Sequence, residues 1–153
     1  MKTRLSLVRG DLLTALGHVS DEMLAWAPAE GMRTVDGQIR EIAQTELQIM
    51  GLLKTGDAPT FESVAAQVRR DSVAGYRELL DQVRADTVTW IDSQTDEQLD
   101  ATVAVPGGWF EALGLENTPK SEVLRSLAAH EWYHVGQLVS YLWFRGDNPY
   151  RWG

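Results

Sequence analysis

The chain has 153 residues, 44% hydrophobic and 24% charged, a composition that suits one soluble globular domain over residues 1–153. Its net charge of −8, from 22 acidic against 14 basic residues, argues against binding a nucleic-acid phosphate backbone. It has no cysteines, which excludes disulfides, thiolate metal sites and a cysteine nucleophile. The opening MKTRLSLVRGDLL is interrupted by Arg9 and Asp11 and does not read as a signal peptide. Charges break every apolar stretch before the ~18 residues that suggest a membrane span. No membrane partner is expected, and the expected location is cytoplasmic.

The first predicted helix covers residues 3–20, with Leu5, Val8, Leu12, Leu16 and Val19 on one stripe. His18, Ser20 and Asp21 begin a break, and His18 reads as a solvated turn residue. The second helix covers 36–54, with Asp36 as N-cap and Gly56 as its close. Its stripe is Ile39, Ile42, Glu46, Ile49 and Leu53, so a carboxylate stands in the middle of an apolar face. TGDAPT is a loop, and residues 61–70 are helical in pattern, either as a separate short helix or as the start of the next one. The third long helix covers 72–93, with Val73, Tyr76, Leu80, Val83, Thr87 and Trp90 in line.

Residues 94–118 form the longest irregular stretch, with a possible extended piece at Thr102–Val105. Trp109 and Phe110 there, and Trp132 later, are candidates to line a pocket or an interface. The last helix is expected from Thr118-Pro119, as N-cap and first residue, to about Arg145. Its stripe is Val123, Leu127, His130, His134, Leu138 and Tyr141. Four long amphipathic helices with almost no strand signal predict an all-α four-helix bundle.

His130 and His134 are four residues apart, about 6 Å along a helix and roughly 40° around it. Both rings can converge on one ion, and both lie on an apolar stripe, where unsatisfied ring nitrogens are costly. Glu46 is the matching anomaly on the second helix. Two imidazoles and one carboxylate make a facial set with open positions, suited to zinc, nickel or ferrous iron. The competing readings are two surface or hydrogen-bonded core histidines and a Glu46 that is exposed or paired with Arg40 or Lys54.

The same histidines belong to a literal H-E-x-x-H, His130-Glu131-Trp132-Tyr133-His134. In zinc proteases the glutamate is the general base. Such a protease needs a further ligand downstream, yet the residues after His134 hold no His or Glu, and Asp147 is their only carboxylate side chain. Glu131 lies ~100° around the helix from His130, as a base, a partner of the ligands, or a surface residue.

The stretch HEWYHVGQLVSYLWFRGDNP resembles the final-helix signature of the DinB/YfiT-like metal-binding four-helix-bundle superfamily. The matching residues are His130, Glu131, His134, Gly136, Gln137, Leu138, Gly146 and Pro149. LGHVSDEMLAWAPAEGMRTVDGQIREIAQTELQ is similar to its first helix, turn and second helix. The resemblance implies an up-down-down-up, DinB-like bundle, often a homodimer, linked by its family name to DNA-damage stress responses. It also implies a divalent metal that activates a small-molecule thiol, as in the thiol-dependent S-transferases and isomerase of the family, because a metal lowers a bound thiol's pKa. The family pattern carries a third ligating histidine in the second helix, after a run like IREIAQ. Here Thr45 occupies that register, between Gln44 and Glu46. Either Glu46 replaces the missing ligand, or the site is weak or lost.

The expected function is therefore a metal-dependent enzyme, a thiol S-transferase with His130, His134 and Glu46 around the ion and substrate entering beside residues 106–118. The alternative is a metal-free, degenerate-site bundle that acts as a binding or stress-associated protein. A redox or oxygen-active iron site is a third reading, separable by its spectrum.

Overall fold

Hydroxyl side chains set where most of the helices begin. In the computed structural model, which describes residues 1–108 and 117–152, α1 spans Lys2–Leu16, α2 Val35–Thr55, α3 Phe61–Val68, α4 Val73–Asp92, α5 Asp96–Asp100 and α6 Lys120–Phe144. Thr34, Thr60, Ser72 and Thr95 cap α2 to α5 by accepting from the third helical N–H. Thr34, rather than Asp36, is thus the cap of α2. Asp36 sits in the first turn, accepts from the Thr34 hydroxyl at 2.6 Å and complements the helix dipole. Gly56 ends α2 with φ 85°, a left-handed position that glycine adopts at no steric cost.

Among the described residues the chain is all-α apart from one small antiparallel pair. β1 (Thr102–Ala104) lies antiparallel to β2 (Asn117–Pro119), with Val103 opposite Thr118. This pairing takes up Thr118 and Pro119, so α6 begins at Lys120 rather than at Pro119. α1 ends at Leu16 with Gly17 as its C-cap, short of the predicted residue 20. No helix among the described residues is long and apolar enough to cross a membrane.

Side-chain bonds set the relative directions of the four long helices. Leu5, Arg9 and Leu13 of α1 meet Arg84, Leu80 and Arg77 of α4, so these two run antiparallel. Gln38 and Thr45 of α2 meet Tyr141 and His130 of α6, again antiparallel. Arg9 and Asp11 meet Glu131 and Trp132, so α1 and α6 run the same way.

The apolar core is in two parts. One contains Leu12, Leu16, Ile39, Ile42, Leu80, Leu138 and their neighbours. The other contains Leu5, Val8, Ile49, Leu53, Leu124 and Leu127 with theirs. Between them lies a charged layer with one residue from each long helix: Arg9, Glu46, Arg84 and Glu131, all buried. Arg9 donates to Glu131 at 2.6 Å and to Glu46 at 3.1 Å. Arg84 donates to Glu46 at 2.8 and 3.1 Å and to Glu131 at 2.5 Å. The remaining guanidinium donors reach the carbonyls of Leu80 and Leu5. The layer is formally neutral, which is how four buried charges are tolerated. Burial disfavours the charged form of Arg84, but its bonds to Glu46 and Glu131 outweigh that and raise its pKa.

Candidate metal centre

α6 brings His130 and His134 onto one face one turn apart, opposite the middle of α2. His134 is fully buried and His130 half-buried. Their Nε2 atoms face each other at 3.2 Å. Zinc–nitrogen bonds of about 2.0–2.1 Å place neighbouring ligands roughly 3 Å apart, so this spacing fits a shared ion.

A hydrogen-bonded chain fixes which nitrogen of His134 is presented. The Arg33 carbonyl can only accept, so the Tyr141 hydroxyl donates to it, at 2.9 Å. Tyr141 then accepts from Gln38 Nε2 at 3.1 Å, which turns Gln38 Oε1 towards His134 Nδ1, 2.5 Å away. His134 must donate from Nδ1, and its Nε2 lone pair is left facing His130. This is the outer-shell arrangement that orients histidine ligands.

Burial pushes His130 down to about 4, with the charges of His134 and Arg33 acting the same way and Glu41 opposing them. Burial likewise pushes His134 down to about 4, with Arg33 adding to it. Both imidazoles are therefore neutral at neutral pH, the state in which a histidine ligates a metal.

The carboxylate that meets the pair is Glu41. Glu41, His130 and His134 each offer a ligand atom, all within 4.8 Å of one another. Glu41 Oε1 lies 3.8 Å from His134 Nε2, while its Oε2 pairs with Arg33. Glu46, expected in this role, is instead held in the charged layer with both oxygens on guanidinium groups, and it is not among the grouped ligand atoms. Its partners are Arg9 and Arg84, not Arg40 or Lys54. Glu131 is likewise buried and paired with both arginines, so it is not free to act as a base beside His130.

The sequence held signals for these residues. Glu41 lies one turn before Thr45 on α2, and Thr45 Oγ1 stands 3.4 Å from His130 Nε2. Glu131 lies on a second stripe of α6: Leu124, Ala128, Glu131, Val135, Leu138 and Leu142. Arg9 stands between Leu5 and Leu12, and Arg84 between Leu80 and Thr87. Reading one stripe per helix left out Glu41, Arg9 and Arg84 and did not show that Glu131 is buried.

A family model of the DinB superfamily matches residues 4–138, from the start of α1 to beyond both histidines. The chain belongs to the DinB superfamily. Members of this superfamily are metal-binding in general, and the chain carries a candidate His/Glu metal group in keeping with that. Among curated proteins, none matches the chain significantly.

Other sequence candidates lie elsewhere. His18 is not free in solvent: it stacks on Trp152 at 4.1 Å and pairs with Asp147 at 2.8 Å, and Trp152 Nε1 donates to Asp147 at 2.7 Å. Trp132 donates to Asp11 and borders a surface groove with Leu5, Leu124 and Ala128, around the helix from the histidines. Trp109 and Phe110 fall in residues 109–116, outside the described residues, as does most of the expected entry region.

Proposed function

We propose that this chain is a metal-dependent enzyme that binds one divalent ion, zinc, nickel or ferrous iron, through His130, His134 and Glu41, and joins a small-molecule thiol to a second small substrate. The observation that carries this reading is the convergence of the three side chains from α2 and α6, with the two Nε2 atoms 3.2 Å apart. When bound, such an ion supplies a Lewis acid that lowers the pKa of a thiol.

The chain's own residues do the rest. Three protein donors leave coordination positions open, as catalytic sites require. Gln38 and Tyr141 hold the His134 ring in one tautomer. Thr45 contributes a neutral hydroxyl at the third histidine's register. With no cysteine in the chain, the sulfur has to come from a dissociable thiol.

The test is elemental analysis of the purified protein together with His130→Ala. One divalent ion per chain is expected, lost in the variant. Full occupancy unchanged in His130→Ala would overturn the assignment.

One contact favours a second reading. With no ion, His130 Nε2–H can donate to His134 Nε2 across 3.2 Å and satisfy both of these nitrogens. The site is then a buried polar pair in a metal-free binding bundle. That reading expects no metal and a thermal stability unaltered by chelator, whereas a bound ion stabilises the folded state by mass action.

A further inference from the structure

A surface groove of about 400 Å³ lies along the N-terminal part of α2, bordered by Arg33, Gly37, Arg40, Glu41 and Gln44, with Phe61 of α3. Glu41 belongs to this groove and to the histidine cluster alike. Its Oε1 is the atom near His134, and its Oε2 pairs with Arg33. The groove therefore opens onto the candidate metal ligand.

Two arginines border it. Arg40 Nε is buried without a hydrogen bond, although Asp36 Oδ2 lies 3.2 Å away. Arg33 reaches Glu41 by crossing Gly37: a Cβ there would lie 2.6 Å from Arg33 Cγ and 3.0 Å from Thr34 Oγ1. Glycine within a helix weakens it, so a glycine under the Arg33 stem has a positional use.

The charges define the ligand. Glu41 pairs with Arg33 and Asp36 with Arg40, so the groove's own charges balance. A divalent ion brings two further positive charges. A thiolate at an open position answers one, and a carboxylate in the groove answers the other with charge-assisted bonds from the arginines. Resting on the metal reading above, we infer that the substrate thiol is a thiol acid: its carboxylate sits between Arg33 and Arg40, and its sulfur sits at the His130–His134–Glu41 site.

The experiment is an amide NMR titration of the metal-free and zinc-loaded protein with mercaptoacetate and, separately, with mercaptoethanol. The two differ only by a carboxylate for a hydroxymethyl group. Mercaptoacetate is expected to shift the Gly37 and Gln44 amides and to bind the zinc-loaded protein about tenfold or more tightly than mercaptoethanol. In Arg40→Gln, whose folding the same spectra report, that preference should fall to near unity. Equal affinity for the two thiols in the unaltered protein, or a preference that survives Arg40→Gln, overturns the inference. If zinc does not bind but mercaptoacetate still shifts Gly37 and Gln44, and no longer does in Arg40→Gln, the metal reading fails and the carboxylate site stands. If zinc binds and the two thiols are not distinguished, the carboxylate site alone fails.

Discussion

Thr45 Oγ1 lies 3.4 Å from His130 Nε2, across the seam between α2 and α6. A hydroxyl thus stands beside His130 at the register where the family resemblance expects a third histidine. Thr45→His is expected to tighten zinc affinity by roughly tenfold or more, about 1.4 kcal/mol for each factor of ten. Competition with a chromogenic chelator measures it. An unchanged or weakened affinity would show that residue 45 does not face the ion.

The two glutamates of α2 should separate cleanly. Glu41→Gln is expected to weaken metal binding by at least the roughly 10–100-fold lost when a ligand's supporting partner is removed. Glu46→Gln should leave metal stoichiometry intact, because both Glu46 oxygens are engaged by Arg9 and Arg84. Metal titration of the two variants decides the assignment; the opposite order would return Glu46 to the site.

The charged layer carries a stability prediction. Glu46→Ala leaves Arg84 and Arg9 buried with only Glu131 as carboxylate partner. Breaking a buried ion pair costs about 3–5 kcal/mol, so urea denaturation should show a loss of that order. Replacing all four of Arg9, Glu46, Arg84 and Glu131 by apolar residues of matching volume should be far milder, because no charge is left uncompensated. A quadruple variant as unstable as Glu46→Ala would contradict this account.

Gln38 should matter without touching the ion. Gln38→Leu removes the acceptor for His134 Nδ1–H and leaves the ring free to change tautomer. Metal affinity is expected to fall by about 10–100-fold. Gln38→Glu, which keeps an acceptor at that point, should recover most of it. Equal losses in the two variants would point to packing as the cause.

Much of the fold was open to reading along the chain, because helix signals are local. The 3-4 spacing of apolar residues marks α1, α2, α4 and α6, and Gly56 ends α2 where its sequence position suggests. The starts were read less well. Asp36 and Thr34 are both good caps, and only the backbone shows that the Thr34 hydroxyl reaches the Gly37 N–H. Thr118-Pro119 looks like a helix start, but pairing with β1, a contact between distant residues, claims it first.

At the site the division is sharper. Sequence alone determined that His130 and His134 converge, because four residues on a helix bring two side chains to one face whatever surrounds them. It also marked Glu46 as an anomaly, since a carboxylate on an apolar stripe needs a partner. Which partner it takes depends on the rotation and register of four helices against one another. Only the tertiary structure decided that Arg9 and Arg84, from two other helices, enclose Glu46 and Glu131 in one neutral layer. That enclosure withdraws Glu46 from the histidines and leaves Glu41, near the open end of the cluster, as the carboxylate that faces them.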